Sequence, residues 1–488
     1  MKDRRIRQVL FFTRPWQVAF HLELAKSLQE RFADIPTKFS TFFSEAKERA
    51  EGDGYECIYM PDELRKVSGV EISDTRFSEI DRQLYDTQGA NFNLMLQSER
   101  FLPKDGREAA LFGRKHLVVL DRLVMDGTLL ISTVPDHFVY WLAGGLANCR
   151  GGAHFSFSAC GLPPGRVVAL KTMWKTWSVP FEGDAAAFLK ECRESLFMPG
   201  KDRIEYLKPQ TIPPLHRRLK HRYHEVKCEE RDRKAGSYFP GAELVSWQTI
   251  KNRLPQSWFK YPEPKYDITK EEDLSNLKKP LCYLPLHMEP EATILMFSPW
   301  LRDQVELCRL ISQALPVDWK LLVKENRAMT GNRHPDYYKN LRALPNVVLV
   351  SSEISSTRLI LDTRITVTLA GTASIEAAVL GKPSLVLGRP PALDMLLAGD
   401  FSAKLSLANL FKQLQQQEFT LNPDEWAAWI AGSFKAKIVP TFTPEGVFCT
   451  PYDEKNIEAY TDYIEAALKF SNEVFDADHS MKVKNVSH

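Results

Sequence analysis

The sequence predicts an α/β protein with parallel sheets, and three observations support this prediction. Short apolar runs of strand length alternate with helical stretches near the start of the chain and again from residue 280. The segment Arg364–Pro391 has the pattern of strand, tight turn, helix and strand, which is the unit that joins parallel strands. The chain has 488 residues, too many for one core, so we expect two domains with an insertion between them.

The first domain is predicted to span residues 1–160. Each of its strands is a short apolar run, and each helix repeats apolar residues every three or four positions. The pattern is helical throughout residues 74–126, ending in the helix His116–Met125. The other predicted elements are strands at Gln8–Phe12, Thr37–Phe43, Glu56–Met60, Leu129–Val134 and His154–Cys160, and helices at Val18–Phe32, Ser44–Glu51 and Val139–Ala147.

Asp136 and His137 follow the strand Leu129–Val134, at the sheet edge where ligands of such folds bind. A carboxylate there can deprotonate a hydroxyl nucleophile, so Asp136 is the first candidate for a general base. The alternative is that Asp136 only caps the following helix. His137 is the second candidate, and Glu99 is the third because its helical context predicts no direction for its side chain.

Residues 161–278 lose the alternation and are predicted to be a helical or irregular insertion, rich in prolines and tryptophans. The basic run His216–His224 reads either as a solvated helix or as a face that docks on anionic lipid or acceptor. His221, His224 and Cys228 have helical spacing, but no second pair of ligands accompanies them. No metal site is therefore predicted.

A second alternating pattern predicts a further domain at residues 279–440, followed by a C-terminal helix and tail at residues 441–488. The helix predicted from Pro299 to Leu315 is amphipathic. The remaining predicted elements are strands at Pro280–Leu286, Trp319–Val323, Val347–Val350, Ile365–Ala370 and Ser384–Leu387, and helices at His334–Leu344, Ser356–Leu361 and Ile375–Leu380.

Polar residues follow consecutive strands of this second domain, in the segments HMEPE, KENR, SSE and GTAS. Together they predict a phosphate site in which Lys324, Arg327, Thr372 and Ser374 contribute, because ligands bind at this edge of such sheets. Glu376, one turn into the last helix, is better placed to accept from a ribose hydroxyl. The alternative for the GTAS turn is a capped helix, with Thr372 or Ser374 as the cap and Glu376 completing a capping box.

Composition excludes several classes of protein. Hydrophobic residues make up 44% and charged residues 26%, which is typical of a globular protein. The net charge of +2 gives no reason to expect nucleic acid as a partner. The eight cysteines form no CxxC pair, and no export signal or apolar span is found, so we expect a cytoplasmic protein with, at most, a peripheral contact at the inner membrane.

Several segments in order resemble the capsule polysaccharide biosynthesis family. These are YLPLHMEPEAT, LLVKEN, PNVVLVSSE and TVTLAGTASIEAAVLGKPSLVLG, which together cover roughly residues 279–392. That family includes bacterial Kdo transferases of the GT-B type and, more distantly, the CDP-glycerol polyol-phosphate transferases. The resemblance implies a GT-B-like fold, with two Rossmann-like domains facing across a cleft.

The resemblance also implies roles for individual residues. Glu289 and Glu291 match the family's acidic strand-end block, and Lys324 matches the lysine of its K-x-H-P block. Residues Thr372, Ser374 and Glu376 match the donor loop. The sequence departs from the family at Asn326-Arg327, which stand in place of His-Pro, so either Arg327 contacts the phosphate or the donor has changed.

These features lead to three hypotheses of function. The first is a metal-independent, cofactor-free glycosyltransferase that moves a sugar from a nucleotide-activated donor, with a CMP-sugar such as CMP-Kdo favoured, to a glycan or glycolipid acceptor in bacterial surface polysaccharide synthesis. The second is a polyol-phosphate transferase that uses a CDP-alcohol. The third is a non-catalytic polysaccharide assembly protein that keeps the fold.

Overall fold

Two separate parallel sheets organise the chain, one in each of two units. The first unit comprises Met1–Gly183, Pro199–Lys251 and Trp429–His488, and the second comprises Asp184–Met198 and Asn252–Ala428. The structure is a computed structural model. It describes residues 6–68, 71–132, 136–159, 167–177, 184–197, 230–232, 234, 261–277, 279–382, 384–389, 441–442, 448–449 and 457–469.

The first unit begins with alternating strands and helices, as its sequence predicts. Its strands are β1 (Gln8–Phe12), β2 (Thr37–Thr41), β3 (Glu56–Tyr59), β4 (Thr128–Ser132), β5 (Ala153–Ala159), β6 (Val167–Thr172) and β7 (Lys175–Thr176). Its first seven helices are α1 (Val18–Arg31), α2 (Ser44–Gly52), α3 (Met60–Lys66), α4 (Asp74–Gln88), α5 (Phe92–Gln97), α6 (Gly106–Leu123) and α7 (Phe138–Cys149).

The seven strands of the first unit form one sheet in the order β3-β2-β1-β4-β5-β6-β7. The first five are parallel, and β1 and β4 are neighbours with Phe12 opposite Ser132. All five residues of β1 and of β4 are buried. Helices cover both faces of a parallel sheet, so the residues of its central strands are buried and largely apolar.

The structure differs from the expected irregular segment after residue 160. Strands β6 and β7 lie in that range and extend the sheet through antiparallel pairing. Trp177 stacks on Phe155 with ring centroids 4.5 Å apart, and its indole N–H donates to His154 O at 2.7 Å. Trp174 and Trp177, two of the tryptophans that suggested a loop, therefore belong to the core beside an edge of the sheet.

A C-terminal helix at residues 457–469 completes the core of the first unit. Tyr460 packs against Phe20 with ring centroids 4.7 Å apart, and Thr461 Oγ1 lies 2.8 Å from Ser27 Oγ. A short antiparallel pair precedes this helix, formed by β13 (Thr441–Phe442) and β14 (Phe448–Cys449). The first unit is thus closed by residues from the far end of the chain.

The second unit contains the other parallel sheet. Its strands are β8 (Leu281–Pro285), β9 (Lys320–Lys324), β10 (Val347–Val350), β11 (Ile365–Thr368) and β12 (Ser384–Val386). Its helices are α8 (Ala185–Phe197), α9 (Ala292–Leu295), α10 (Gln304–Ala314), α11 (Pro335–Arg342), α12 (Ser356–Asp362) and α13 (Ala373–Val379), with 3-10 turns at Glu271–Asn276 and Arg327–Met329.

The strand order in the second unit is β10-β9-β8-β11-β12, and every pairing is parallel. If the strands of this unit are numbered from its first strand, β8, the order is 3-2-1-4-5. The five parallel strands of the first unit have the same order, which is the Rossmann order. The predicted α/β class with two Rossmann-like domains is therefore confirmed. Helix α10 begins at Gln304 rather than Pro299, because Asp303 caps it by accepting from Val305 N at 2.9 Å.

Two further expectations from the sequence concern the basic run of the predicted insertion and the absence of a membrane-spanning segment. The basic run His216–His224 and Cys228 fall outside the described residues. Among the helices that the structure describes, none is both long and apolar enough to cross a membrane.

Candidate functional site

The strand order locates one candidate crevice in each unit. In a doubly wound sheet, ligands bind beyond the carboxyl ends of the strands where the order reverses, which we call the switch point. In the first unit this point lies between β1 and β4, and in the second it lies between β8 and β11. The predicted site residues follow β4, β8, β9 and β11, so they lie at the functional edges of the two sheets.

Arg14 and Asp136 meet at the switch point of the first unit. Arg14 comes two residues after β1, and its Nη1 and Nη2 donate to both carboxylate oxygens of Asp136, Nη1 at 3.2 Å. Arg14 Nε donates to Tyr140 Oη at 3.1 Å, and the guanidinium lies 4.7 Å from the centre of that ring. Asp136 is thus held in a bidentate ion pair with a buried arginine.

This ion pair changes what Asp136 can do. Burial opposes ionisation of the carboxylate, but the neighbouring Arg14 outweighs it and lowers the pKa of Asp136 below its usual range. A carboxylate with a lowered pKa is a weaker base. Asp136 is not the helix cap either, because the N-cap of α7 is His137 and Asp136 binds Arg14 instead.

His137 and Glu99 form a second pair at the same edge. His137 Nδ1 lies 3.0 Å from Glu99 Oε1 and 3.3 Å from Oε2, and the Glu99 side chain is fully buried. Backbone amides of Phe101 and Phe138 also donate to this carboxylate, at 3.1 and 2.9 Å. Burial raises the pKa of Glu99, but the hydrogen bond from His137 and these amides lower it overall, so Glu99 is ionised.

An ionised Glu99 determines the tautomer of His137. Its carboxylate can only accept, so Nδ1 of the neutral imidazole carries the hydrogen and Nε2 is the nitrogen that can take a proton. His137 Nε2 lies 3.9 Å from Asp136 Oδ2, beside the switch point. His137 is buried, and its orientation by a buried carboxylate is the one that general-base histidines use.

Lys324 ends strand β9 in the second unit. Its Nζ donates to Ser356 Oγ at 2.9 Å, and Tyr283 Oη lies 3.3 Å from the same hydroxyl. Tyr283 is fully buried; burial raises the pKa of its phenol, and the nearby charge of Glu376 raises it further. The Ser356 hydroxyl thus lies within hydrogen-bond distance of both Lys324 and Tyr283.

The turn between β11 and α13 is fixed to the end of β8. Thr368 Oγ1 accepts from Gly371 N at 3.1 Å and lies 3.2 Å from His287 Nε2. A Cβ at Gly371 would lie 2.7 Å from His287 Cε1, so only glycine fits this close approach. The turn thus has a single position relative to the neighbouring strand.

Within this turn, the two predicted hydroxyls point in different directions. Thr372 is exposed, and its Oγ1 donates to Glu376 Oε1 at 3.2 Å. Ser374 is buried, and its hydroxyl donates back to Gly371 O at 2.9 Å. No side chain caps α13 at its N-cap residue, Thr372, so the capping box that the sequence offered as the alternative is not formed.

Glu289 is half-buried and belongs to an ion-pair network whose other members, Arg333 and Glu325, are buried. Arg333 donates to Glu289 Oε2, to Glu325 Oε2 at 2.8 Å and to His287 O at 2.6 Å. Gln304 Nε2 donates to Glu289 Oε1 at 2.6 Å. Arg333 therefore joins the loop after β8 to the loop after β9.

Two further predicted residues lie near these loops. Glu291 is half-buried, and its carbonyl oxygen accepts from Ile294 N and Leu295 N at the start of α9. The Arg327 side chain is 78% exposed and contacts Glu353 at 3.4 Å. His334, which precedes Pro335 a few residues after the position of the family's K-x-H-P block, is the N-cap of α11 and accepts from Asp336 N at 3.2 Å.

The sequence placed the loop Thr13–Gln17 at the functional edge of the sheet but assigned Arg14 no role; Arg333 was missed, and Glu99 was the last candidate. A signal for Arg14 existed, since it follows β1 directly and β1 is the strand next to β4 in a Rossmann order. No comparable signal existed for Arg333, which lies in a loop eight residues after Glu325. Among the described residues, no group of three histidine, cysteine or acidic side chains could hold a metal ion.

The chain is similar in structure to several solved proteins. The KpsC beta-Kdo 2,7 transferase of Thermosulfurimonas dismutans is 13% identical, with a TM-score of 0.30 over 81% of this chain and 96% of that chain. The calicheamicin glycosyltransferase CalG4 is 14% identical, with a TM-score of 0.26 over 95% and 99%. Anabaena HepE in complex with UDP and glucose is 10% identical, with a TM-score of 0.25 over 96% and 100%.

No protein-family model matches the chain, and no curated protein does. The three TM-scores are below 0.5, so these similarities say nothing about function. The function of the chain has to be inferred from its own residues.

Proposed function

We propose that this chain is a glycosyltransferase that moves a sugar from a nucleotide-activated donor to a hydroxyl of a glycan. The observation that carries the proposal is the Glu99–His137 pair at the carboxyl end of β4, at 3.0 Å. Catalysis of this reaction needs a base for the acceptor hydroxyl, and a histidine oriented by a buried carboxylate supplies one at neutral pH.

In the proposed reaction, the acceptor hydroxyl gives its proton to His137 Nε2 while its oxygen bonds to the anomeric carbon of the donor sugar. The bond from that carbon to the phosphate oxygen breaks, and the nucleotide leaves with the electron pair. Glu99 stabilises the imidazolium that forms. Asp136 keeps Arg14 in place at the same edge, through the bidentate pair.

The donor phosphate is proposed to bind at the second unit, where Lys324 supplies positive charge. Its Nζ donates to Ser356 Oγ at 2.9 Å and lies where β9 ends, at the carboxyl edge of the sheet. The exposed Thr372 hydroxyl and Glu376 lie at the same sheet edge, so they are proposed to contact the nucleotide. The other predicted residues are proposed to maintain the conformation of the surrounding loops; these are Glu289, Glu291, Arg327 and Ser374.

The resemblance of residues 279–392 supports a CMP-sugar such as CMP-Kdo as donor and a surface glycan or glycolipid as acceptor. A cytoplasmic location with contact at the inner membrane, and transfer without a metal ion, belong to the same proposal.

A donor-release assay tests this function. The full chain is incubated with CMP-Kdo, and both CMP and free or transferred sugar are measured. We expect CMP release in wild type and its loss in His137→Gln, while the exposed His334→Gln serves as the matched control. Release of a phosphorylated alcohol from CDP-glycerol, with no CMP from CMP-Kdo, would favour the polyol-phosphate alternative. A thermal-shift comparison of CMP, CDP, UDP, UMP and GDP identifies the base.

A further inference from the structure

A second arginine, Arg100, lies at the switch point of the first unit. Its Nη2 donates to Asp136 O at a long 3.4 Å, and the same nitrogen is 3.9 Å from Asp136 Oδ2. The side chain is 24% exposed. Arg100 Nε is buried and has no hydrogen-bond partner among the described residues. This cation therefore has weak hydrogen bonding from the protein at a position that solvent reaches.

The acidic groups around Arg100 are already matched by other donors. Asp136 accepts from Arg14 through both of its oxygens. Glu99 accepts from His137 and from two backbone amides. Arg14 therefore has the short contacts to Asp136. Arg100 has only the contacts to Asp136 at 3.4 and 3.9 Å, so an added anion would compete with weak contacts.

A partly buried guanidinium whose contacts to an anion are long loses hydration that the protein replaces only in part. Its planar set of N–H groups matches the two oxygens of a carboxylate or phosphate, and such charge-assisted hydrogen bonds are among the strongest in proteins. An anion bound at Arg100 would lie beside His137, whose Nε2 is 3.9 Å from the same Asp136 oxygen.

We propose that Arg100 recognises an anionic oxygen group of the substrate, so that the first unit takes an acidic sugar as its acceptor. The inference rests on the proposed function, because it is the transferase reaction that brings an acceptor to His137. Two substrate groups carry anionic oxygens that Arg100 could bind, namely the carboxylate of an acidic acceptor and the phosphate of the donor nucleotide. We assign the carboxylate, because Arg100 and the proposed base lie at the same sheet edge.

Ligand-observed NMR titrations of the full chain test this proposal. The probes are methyl β-D-glucuronide, its neutral counterpart methyl β-D-glucoside, CMP and inorganic phosphate. The variants are Arg100→Gln, which removes the charge, and Arg100→Lys, which keeps the charge but removes the planar set of N–H groups. Arg107→Gln, an exposed position on α6 of the same unit, is the matched control.

We expect wild type to bind the glucuronide more tightly than the glucoside. Arg100→Gln should weaken glucuronide binding about 10-fold to 100-fold, the range for a hydrogen bond to a charged group, and leave the glucoside unchanged. Arg100→Lys should be intermediate, and it also provides the test if Arg100→Gln does not fold. Arg107→Gln should bind like wild type.

Equal glucuronide affinity in wild type and Arg100→Gln would overturn the assignment of the carboxylate. If CMP or phosphate affinity falls in that variant while glucuronide affinity does not, Arg100 binds the donor phosphate and the acidic acceptor is refuted. Binding is measured without turnover, so failure of the proposed transferase reaction is separate: a chain that binds glucuronide through Arg100 but transfers no sugar refutes only that reaction.

Discussion

Glu99 and His137 are 38 positions apart in the sequence, yet Glu99 Oε1 lies 3.0 Å from His137 Nδ1. Glu99 follows helix α5, and its carboxylate also accepts from the backbone of Phe138 at the start of α7. One buried carboxylate thus determines both the beginning of a helix and the orientation of the histidine beside it. Its two roles can be separated by experiment.

The first prediction concerns this pair. His137→Gln should lower the turnover number by about 10² to 10⁴, the usual contribution of a positioned base. Glu99→Gln should also lower turnover and, in addition, lower the melting temperature, because an amide loses the charge that accepts from Phe138 N. Steady-state kinetics and thermal melting measure the two effects. Turnover of His137→Gln within a factor of three of wild type would contradict the base assignment.

The second prediction concerns Arg14 and Asp136. Asp136→Asn should destabilise the protein by about 1–3 kcal/mol, because it leaves a buried guanidinium with weaker compensation. Adding Arg14→Met should recover part of that loss, since the unpaired charge is then removed. A double-mutant cycle on urea unfolding gives the coupling free energy. Strict additivity of the two substitutions would mean that the ion pair contributes nothing to stability.

The third prediction compares residues of the second unit. Lys324→Gln should weaken nucleotide binding by about 1.5–3 kcal/mol, the range for hydrogen bonds to charged groups. Arg327→Gln should cost less than that, because the side chain is 78% exposed and contacts Glu353. Calorimetric titration with CMP measures both. A larger loss for Arg327→Gln would restore Arg327 as the main phosphate ligand.

Ser374→Ala should affect stability more than nucleotide binding. The buried hydroxyl donates to Gly371 O at 2.9 Å, so its removal should cost about 1 kcal/mol of folding free energy. CMP affinity should change by less than threefold. Thermal melting and the same titration distinguish the two effects, and a tenfold loss of affinity without destabilisation would show that Ser374 contacts the ligand.

The fifth prediction concerns pH. Burial lowers the pKa of His21 to about 3 and the pKa values of His116, His154 and His287 to about 4. These side chains are neutral in the folded protein but take up protons near pH 6.5 once unfolded. Unfolding therefore binds protons between pH 4 and 6.5, and the stability that neutral histidines contribute is lost as the pH falls through that window.

Potentiometric titration of native and urea-unfolded protein at pH 5 measures this uptake. His116→Gln should reduce it by about one proton, because one buried neutral histidine is removed. An unchanged uptake in that variant would show that His116 is already protonated in the native state.

The sequence predicted the strands well because each central strand is an apolar run buried on both faces, as in Gln8–Phe12. It also placed Asp136 and Lys324 at strand ends, which depends only on element order. Side-chain partners were harder to predict. Arg14 lies 122 residues from Asp136, and no local pattern links them. Helix α13 begins at Ala373, two residues earlier than predicted, and this puts Ser374 inside the helix with its hydroxyl directed inward.

The helix at residues 457–469 has a consequence for how the chain is made. Thr461 contacts Ser27 across 434 positions, and Arg31 on the same helix α1 pairs with Asp462 and Glu465. During synthesis on the ribosome, the second unit is completed before those residues emerge. Phe20 lacks its partner Tyr460 throughout that interval, and the core of the first unit lacks the apolar residues of the C-terminal helix, so we expect chaperones to protect the nascent first unit from aggregation.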